Sequence, residues 1–181
     1  MDRKKFIRTT GVGLGLVLIP RMAQCQPIAI EDNPVSNIES KIIKDAEGDV
    51  LNVIGDIQTH KLVGIDTDNQ LAEWVDNVDP GVGIPPHIHT KEDEIFRVIK
   101  GEVEIMIDGK TNILTAGDVA FAPKKLSHSW KVVGTEKAKM ITSAFPAGIE
   151  YMFKELAKLP AGPPDLVKVA HICGKHGITF V

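Results

Sequence analysis

From about residue 49 onward, apolar and polar positions alternate with the period of a β-strand. The clearest case is EVEIMIDGKTNIL, where Val103, Ile105 and Ile107 alternate with Glu102, Glu104 and Met106, and Asp108-Gly109 supplies a tight hairpin turn. EIFRVIK, DVAFAP, HSWKVV and KAKMITSAF are further short runs, punctuated by Ala116-Gly117-Asp118 and Gly134-Thr135. Upstream, DVLNVI, HKLVGI and LAEWVDNV add three more candidates. Many short strands at even spacing predict an all-β sandwich or barrel.

The pattern changes after Phe145. AGIEYMFKELA places Ile149, Phe153, Leu156 and Ala157 on one helical face. Pro160, Pro163 and Pro164 interrupt the chain, and DLVKVAHICGKHG predicts a second helix stopped by Gly177. Its periodicity turns Leu166, Ala170 and Cys173 inward and His171 off that face. These helices are expected to cover one outer face of the sheet. The resulting organisation is an export segment over 1–25, a leading arm over 26–44, a β domain over 45–146 and a helical extension over 147–181.

Composition adds little against this picture. Of 181 residues, 43% are hydrophobic and 25% charged, with a formal net charge of −3, so no basic face for nucleic acid is expected. Aromatic residues make up only 5%, which gives each one near a site more weight. The N-terminus stands apart. A basic head (Arg3, Lys4, Lys5, Arg8) precedes an apolar run from Gly11 to Ile19 that Pro20 ends, too short to span a bilayer. It reads as an export signal, which implies a periplasmic or cell-envelope location. Asp-Arg-Lys-Lys-Phe-Ile-Arg resembles a twin-arginine signal with Lys4 at the second arginine position, so the twin-arginine and general secretory routes both stay open. Cys25 is either a lipid-accepting cysteine or part of a cleavage site at Ala23-Gln24-Cys25, and in both cases Cys173 is left without an internal disulfide partner.

The candidate chemistry lies in GVGIPPHIHTKEDEIFRVIKG, residues 81–101. Alternate residues of a strand share a face, so His87 and His89 point the same way with their Cα atoms about 6.8 Å apart. Pro85 and Pro86 stiffen the approach and remove two backbone donors, as suits an edge. Glu94 opens the next strand, from which a carboxylate can swing back toward both rings, and GDVAFAPKKLSHSW offers His128 as a fourth ligand. Glu92 and Asp93 compete with Glu94 for this role; otherwise they belong to a solvated acidic loop.

Gly81-x5-His87-x-His89-x4-Glu94-x6-Gly101 resembles the first motif of the cupin superfamily at each fixed position, and Gly117-x5-Pro123 followed by His128 resembles the second. Fifteen residues separate Gly101 from Gly117, the spacing of compact microbial cupins. The resemblance covers 45–146, and the tail is similar to single-domain cupins described as quercetin 2,3-dioxygenase-like. Two positions depart from the pattern: Lys125 replaces the usual Gly, and Val132 the usual Asn. The resemblance implies a jelly-roll double-stranded β-helix barrel in which His87, His89, Glu94 and His128 hold one divalent transition metal. Manganese or iron is favoured, with nickel, copper and zinc as the alternatives. It also implies a homodimer, with the segment before Asp49 as a swapping arm.

Alternation then places Phe96 beside Glu94 and Trp130 beside His128 on the inward face, as candidate walls of a substrate pocket. Trp74, Phe121 and Met106 are further lining candidates, with Met140. His60 reads as a strand surface residue. His171, Cys173 and His176 read as a helix end in preference to a second metal site. The expected function is a metal-dependent dioxygenase acting with O2 on a small aromatic or enol-like compound, with Glu94 as ligand first and proton acceptor second. A non-redox isomerase or lyase, and an exported binding protein without turnover, are the alternatives.

Overall fold

The computed structural model describes residues 38–181. The export segment, Cys25 and most of the leading arm lie outside the described residues; the rest of the arm, from residue 38, enters the first strand without forming helix or strand. Eleven strands and two helices follow. They are β1 (Asp49–Val53), β2 (Asp56–Leu62), β3 (Ala72–Val78), β4 (Gly83–His89), β5 (Asp93–Lys100), β6 (Glu102–Ile107), β7 (Lys110–Leu114), β8 (Val119–Ala122), β9 (His128–Val133), β10 (Ala138–Phe145), α1 (Ile149–Leu156), α2 (Leu166–His176) and β11 (Ile178–Phe180).

The strands form two antiparallel sheets, one ordered β1-β2-β3-β10-β5-β8 and the other β11-β4-β9-β6-β7. No ladder joins them, so the expected barrel is an open jelly-roll sandwich whose sheets do not close. The alternation read from the sequence sets the packing. Phe96 and Val98 of β5, Val103 and Ile105 of β6, and Trp130 and Val132 of β9 meet in one buried cluster with Met140. Burying each such side chain contributes about 1.5–3 kcal/mol. The β6–β7 hairpin turns at Asp108 and Gly109, with φ of 50° and 75°, the double positive φ that a tight two-residue turn demands.

The helices take a different place from the one expected. Ile149, Met152, Phe153 and Leu156 of α1 and Val169 and Cys173 of α2 bury themselves against Ala72, Trp74 and Ala144, which are inward residues of β3 and β10. The helices therefore pack on inward-facing residues of β3 and β10 and not on an outer face of the sheet. Met152 takes the buried position assigned to Ala157, which is half-buried. In α2, Leu166 is 72% exposed and Ala170 is exposed, while Val169 joins Cys173 inside, because the helix presents only a narrow stripe to the sandwich. Buried Glu150 accepts from the amides of Gly64 (2.9 Å) and Gly148 (2.7 Å), fixing the start of α1 to a short 3₁₀ turn at Gly64–Asp66. Asp165 caps α2 by accepting from Val167 and Lys168, and Gly177 ends it in the left-handed conformation, as its sequence position predicts.

The final strand, β11, was not expected. It pairs with β4 so that Ile178 lies opposite His89 and Phe180 opposite His87. His60 is a second correction: it is 4% exposed and points inward, its ring 6.0 Å from that of Trp74 and 5.8 Å from that of Phe153.

Candidate metal centre

The two sheets each contribute to one buried cluster. His87 and His89 stand on β4, and His128 stands on neighbouring β9, directly opposite His87 in the ladder. Glu94 reaches across from β5 in the facing sheet. The β4–β9 register slips between Ile84 and His87, where Pro85 and Pro86 offer no amide to the ladder. That slip, more than an edge position, accommodates the two prolines.

One donor atom from each of the four residues lies within 4.8 Å of the others, and all four residues are buried. Glu94 Oε2 is 3.0 Å from His128 Nε2 and 3.6 Å from His89 Nε2. The outward ring nitrogens face acceptors of their own. His87 Nδ1 lies 2.9 Å from the Pro85 carbonyl and His128 Nδ1 3.4 Å from that of Leu126. Glu92 Oε2 lies 3.4 Å from His89 Nδ1, within ion-pair reach but off the hydrogen-bond line. Such partners hold the Nδ1 protons and leave Nε2 lone pairs for a metal. Glu92 therefore stands behind His89, buried at 4% exposed, and is not part of a solvated loop. Asp93 accepts from the Lys124 amide and takes no part in the cluster.

The electrostatics suit a cation. Burial pushes the Glu94 carboxyl up, but His89, His128 and His87 together hold it below the ordinary glutamate value, so it is a carboxylate. Burial and neighbouring His128 push His87 down to about 4, which keeps it a neutral imidazole at pH 7. Burial opposes protonation of His89 too, yet Glu94 and Glu92 raise it. A buried carboxylate beside three imidazoles is the donor set a divalent transition metal takes, and the residues present fit it.

The cluster opens onto a cavity of about 570 Å³. Phe96, Trp130 and Trp74 line it as expected. Phe121 does not: it is 52% exposed on the outer face of β8 and stacks on Phe145. Met106 also faces away, half-buried, with its sulfur accepting from the Gly109 amide, because it alternates out of phase with Val103 and Ile105. Met140 is wholly buried in the core and does not line the cavity. Among the described residues the four-residue cluster is the only one of its kind, so His171, Cys173 and His176 form no second centre; His176 instead lies 2.9 Å from Glu155. The sequence reading missed Asp56, Gln58, Asp76, Thr142, Phe153 and Phe180 in the cavity wall. Polar residues at alternate positions of DIQTHKL were the available signal.

An open sandwich of two antiparallel sheets with a three-histidine, one-glutamate cluster between them defines the double-stranded β-helix class. Residues 74–144 match the family described as cupin domain, so the chain contains a cupin domain. It is 33% identical over 67 residues to "Polyketide synthase CurC" of Streptomyces cyaneus, covering 37% of this chain and 44% of that one. It is 30% identical over 117 residues to "Oxalate oxidase GF-2.8" of Triticum aestivum, covering 54% and 52%. The chain thus spans about half the length of the curated relatives it matches. KdgF from Halomonas sp. superposes with a TM-score of 0.56 at 21% identity, over 62% of this chain and 99% of that one, and shares its fold.

The two departures from the family pattern have physical readings. Val132 is 1% exposed and fills core space opposite Val103. Lys125 occupies the left-handed region with φ of 70°, and its amide donates to the His89 carbonyl at 2.7 Å. The turn behind His89 is thus retained with a side chain that strains it. Replacing Lys125 with glycine is expected to stabilise the protein by up to about 1 kcal/mol without changing metal content. Thermal melting of the two proteins checks this; an unchanged or lower midpoint would show that the turn carries no strain.

Proposed function

We propose that this cupin is a metal-dependent oxidoreductase of the dioxygenase type, acting on a small aromatic or enol-like compound. The carrying observation is the meeting of four buried ligand groups within 4.8 Å at one end of a cavity walled by Phe96, Trp130 and Trp74. His87, His89, Glu94 and His128 would hold the ion, which when bound supplies a Lewis acid with open positions for a substrate oxygen and O2. Glu94 would bind it and accept the substrate hydroxyl proton. The aromatic walls would orient the ring and exclude water. Resemblance to an oxalate oxidase supports oxygen chemistry, but the cavity favours a different substrate. Among the described residues no lysine or arginine lines it, so a small dianion would find no counter-charge there beyond the ion itself.

The metal is expected to be manganese or iron. Elemental analysis of protein taken from its native compartment should find one of them; copper or zinc alone would count against the assignment. The reaction class is tested by an oxygen electrode with metal-loaded protein and a panel of phenols and enols. Oxygen uptake with at least one compound is expected. Turnover that continues without oxygen would make the protein a lyase or isomerase, and binding without turnover would make it an exported carrier.

A further inference from the structure

The wall of the cavity away from the metal centre carries a second polar group. Asp56 on β2 and Asp76 on β3 are 2% and 1% exposed, and both line the cavity. Asp56 Oδ2 accepts from Gln58 Nε2 at 2.7 Å, and Asp76 Oδ2 accepts from Thr142 Oγ1 at 2.5 Å. Neither Oδ1 accepts from any donor among the described residues. Burial lifts Asp56 to about 6, and burial together with the charge of Asp56 lifts Asp76 well above the aspartate range. Among the described residues no lysine or arginine lines the cavity, so the two buried carboxyl groups have no basic partner there. Carboxyl oxygens have two acceptor sites each, so the pair keeps acceptor capacity toward the cavity.

Strand register fixes where the pair lies. Asp76 stands opposite Met140, and Met140 opposite Val98, four residues beyond Glu94. Two strand spacings and four residues of rise put Asp76 about 10 Å across and about 13 Å along from the glutamate. Phe96, Thr142 and Trp74 lie in one row between them, since Thr142 pairs with both aromatics. A single ring is too short to touch both ends, whereas two rings laid over this row are long enough.

We propose that Asp56 and Asp76 receive a hydroxyl group at the far end of a two-ring, doubly hydroxylated aromatic substrate whose near hydroxyl faces the four metal-binding residues. This rests on the reading that the centre takes an aromatic oxygen. A hydroxyl fits because it can donate to the Asp56 carboxylate while the dry aromatic row holds the rings. A substrate lacking the donor leaves that buried acceptor unpaired, and this is how the pair sets specificity.

Intrinsic fluorescence gives the readout, since Trp74 and Trp130 are the chain's two tryptophans and both line the cavity. Biphenyl-4,4′-diol and its dimethyl ether are titrated into metal-stripped and manganese-loaded protein. In stripped wild type the diol is expected to bind at least tenfold more tightly than the diether. Asp56→Asn or Asp56→Ser, each confirmed as folded by its melting transition, should reduce that preference below threefold. Equal binding of both probes, binding of neither, or a preference that survives in the folded variants would overturn the proposal. Manganese loading is a separate arm. If it fails to tighten diol binding, the metal reading is lost while the preference set by Asp56 and Asp76 still stands or falls on its own result.

Discussion

Replacing Glu94 with alanine is expected to leave a folded protein that holds its divalent metal at least about 100-fold more weakly and supports no turnover. Glu94 is the only carboxylate of the four donors and the only one carried by the six-stranded sheet. Removing it leaves three imidazoles without a compensating charge, and a buried cation among neutral ligands is poorly stabilised. His128 Nε2 would also lose the oxygen 3.0 Å away. A loss above 100-fold is expected because even residues that only orient metal ligands cost 10–100-fold in affinity when changed. Metal per chain after dialysis against a chelator measures the first effect, and oxygen uptake with an accepted substrate the second. Glu94→Gln separates shape from charge and should lose the metal too. A variant that retained bound metal and full turnover would remove Glu94 from the mechanism.

Acid stability should show the second large effect. Burial, with the charge of Lys154 adding to it, lowers His60 to about 4 from an ordinary value of 6.5. Between those pH values the unfolded chain binds more protons than the folded one, so stability rises with pH through the window. The contribution of His60 is fully present above about pH 6.5 and is lost as pH falls toward 4. At 1.36 kcal/mol per unit it amounts to roughly 3 kcal/mol. The Asp56–Asp76 pair works in the opposite sense. Its raised values contribute stability at low pH that fades as pH climbs through about 6. His60→Leu keeps an apolar side chain against Trp74 and Phe153 and gives up the 3.1 Å contact with Gln58 Oε1, and its acid limb should be shallower than that of wild type. Calorimetric melting of metal-free protein from pH 7 to pH 4 checks this, and parallel limbs in both proteins would remove His60 from the account. Metal-free protein is required because His87, also lowered to about 4, would otherwise couple the same window to metal release.

The strands most open to sequence reading were those whose apolar face is buried and whose ends carry turn residues. β6 and β7 follow the alternation of Val103, Ile105 and Ile107 and the turn at Asp108-Gly109. β2 was harder, because its inward positions are Asp56, Gln58 and His60, which a hydrophobic pattern assigns to solvent. β11 has three residues after a helix stop and carries no period of its own. It exists because β4 leaves an edge beside the histidines for Ile178 to Phe180 to pair with. Leu166 and Ala170 were misplaced for a related reason. A helix with several apolar positions does not reveal which of them meets a partner until that partner is in place, and here it was the stripe of Val169 and Cys173.

The sequence by itself put forward the four residues that meet in the cluster: local strand spacing placed His87 and His89 on one face, and resemblance to a family motif singled out Glu94 and His128. It likewise determined the hairpins and the two helices, whose periods and caps are local as well. Only the tertiary structure decided that the two sheets stay open, that the helices pack on inward-facing residues of β3 and β10, and that Phe121 and Met106 face away from the cavity. It alone brought Asp56 and Asp76 together across β2 and β3. Those outcomes depend on strand pairing between residues distant along the chain, and on burial that lifts an ordinary pair of aspartates above the usual carboxylate range.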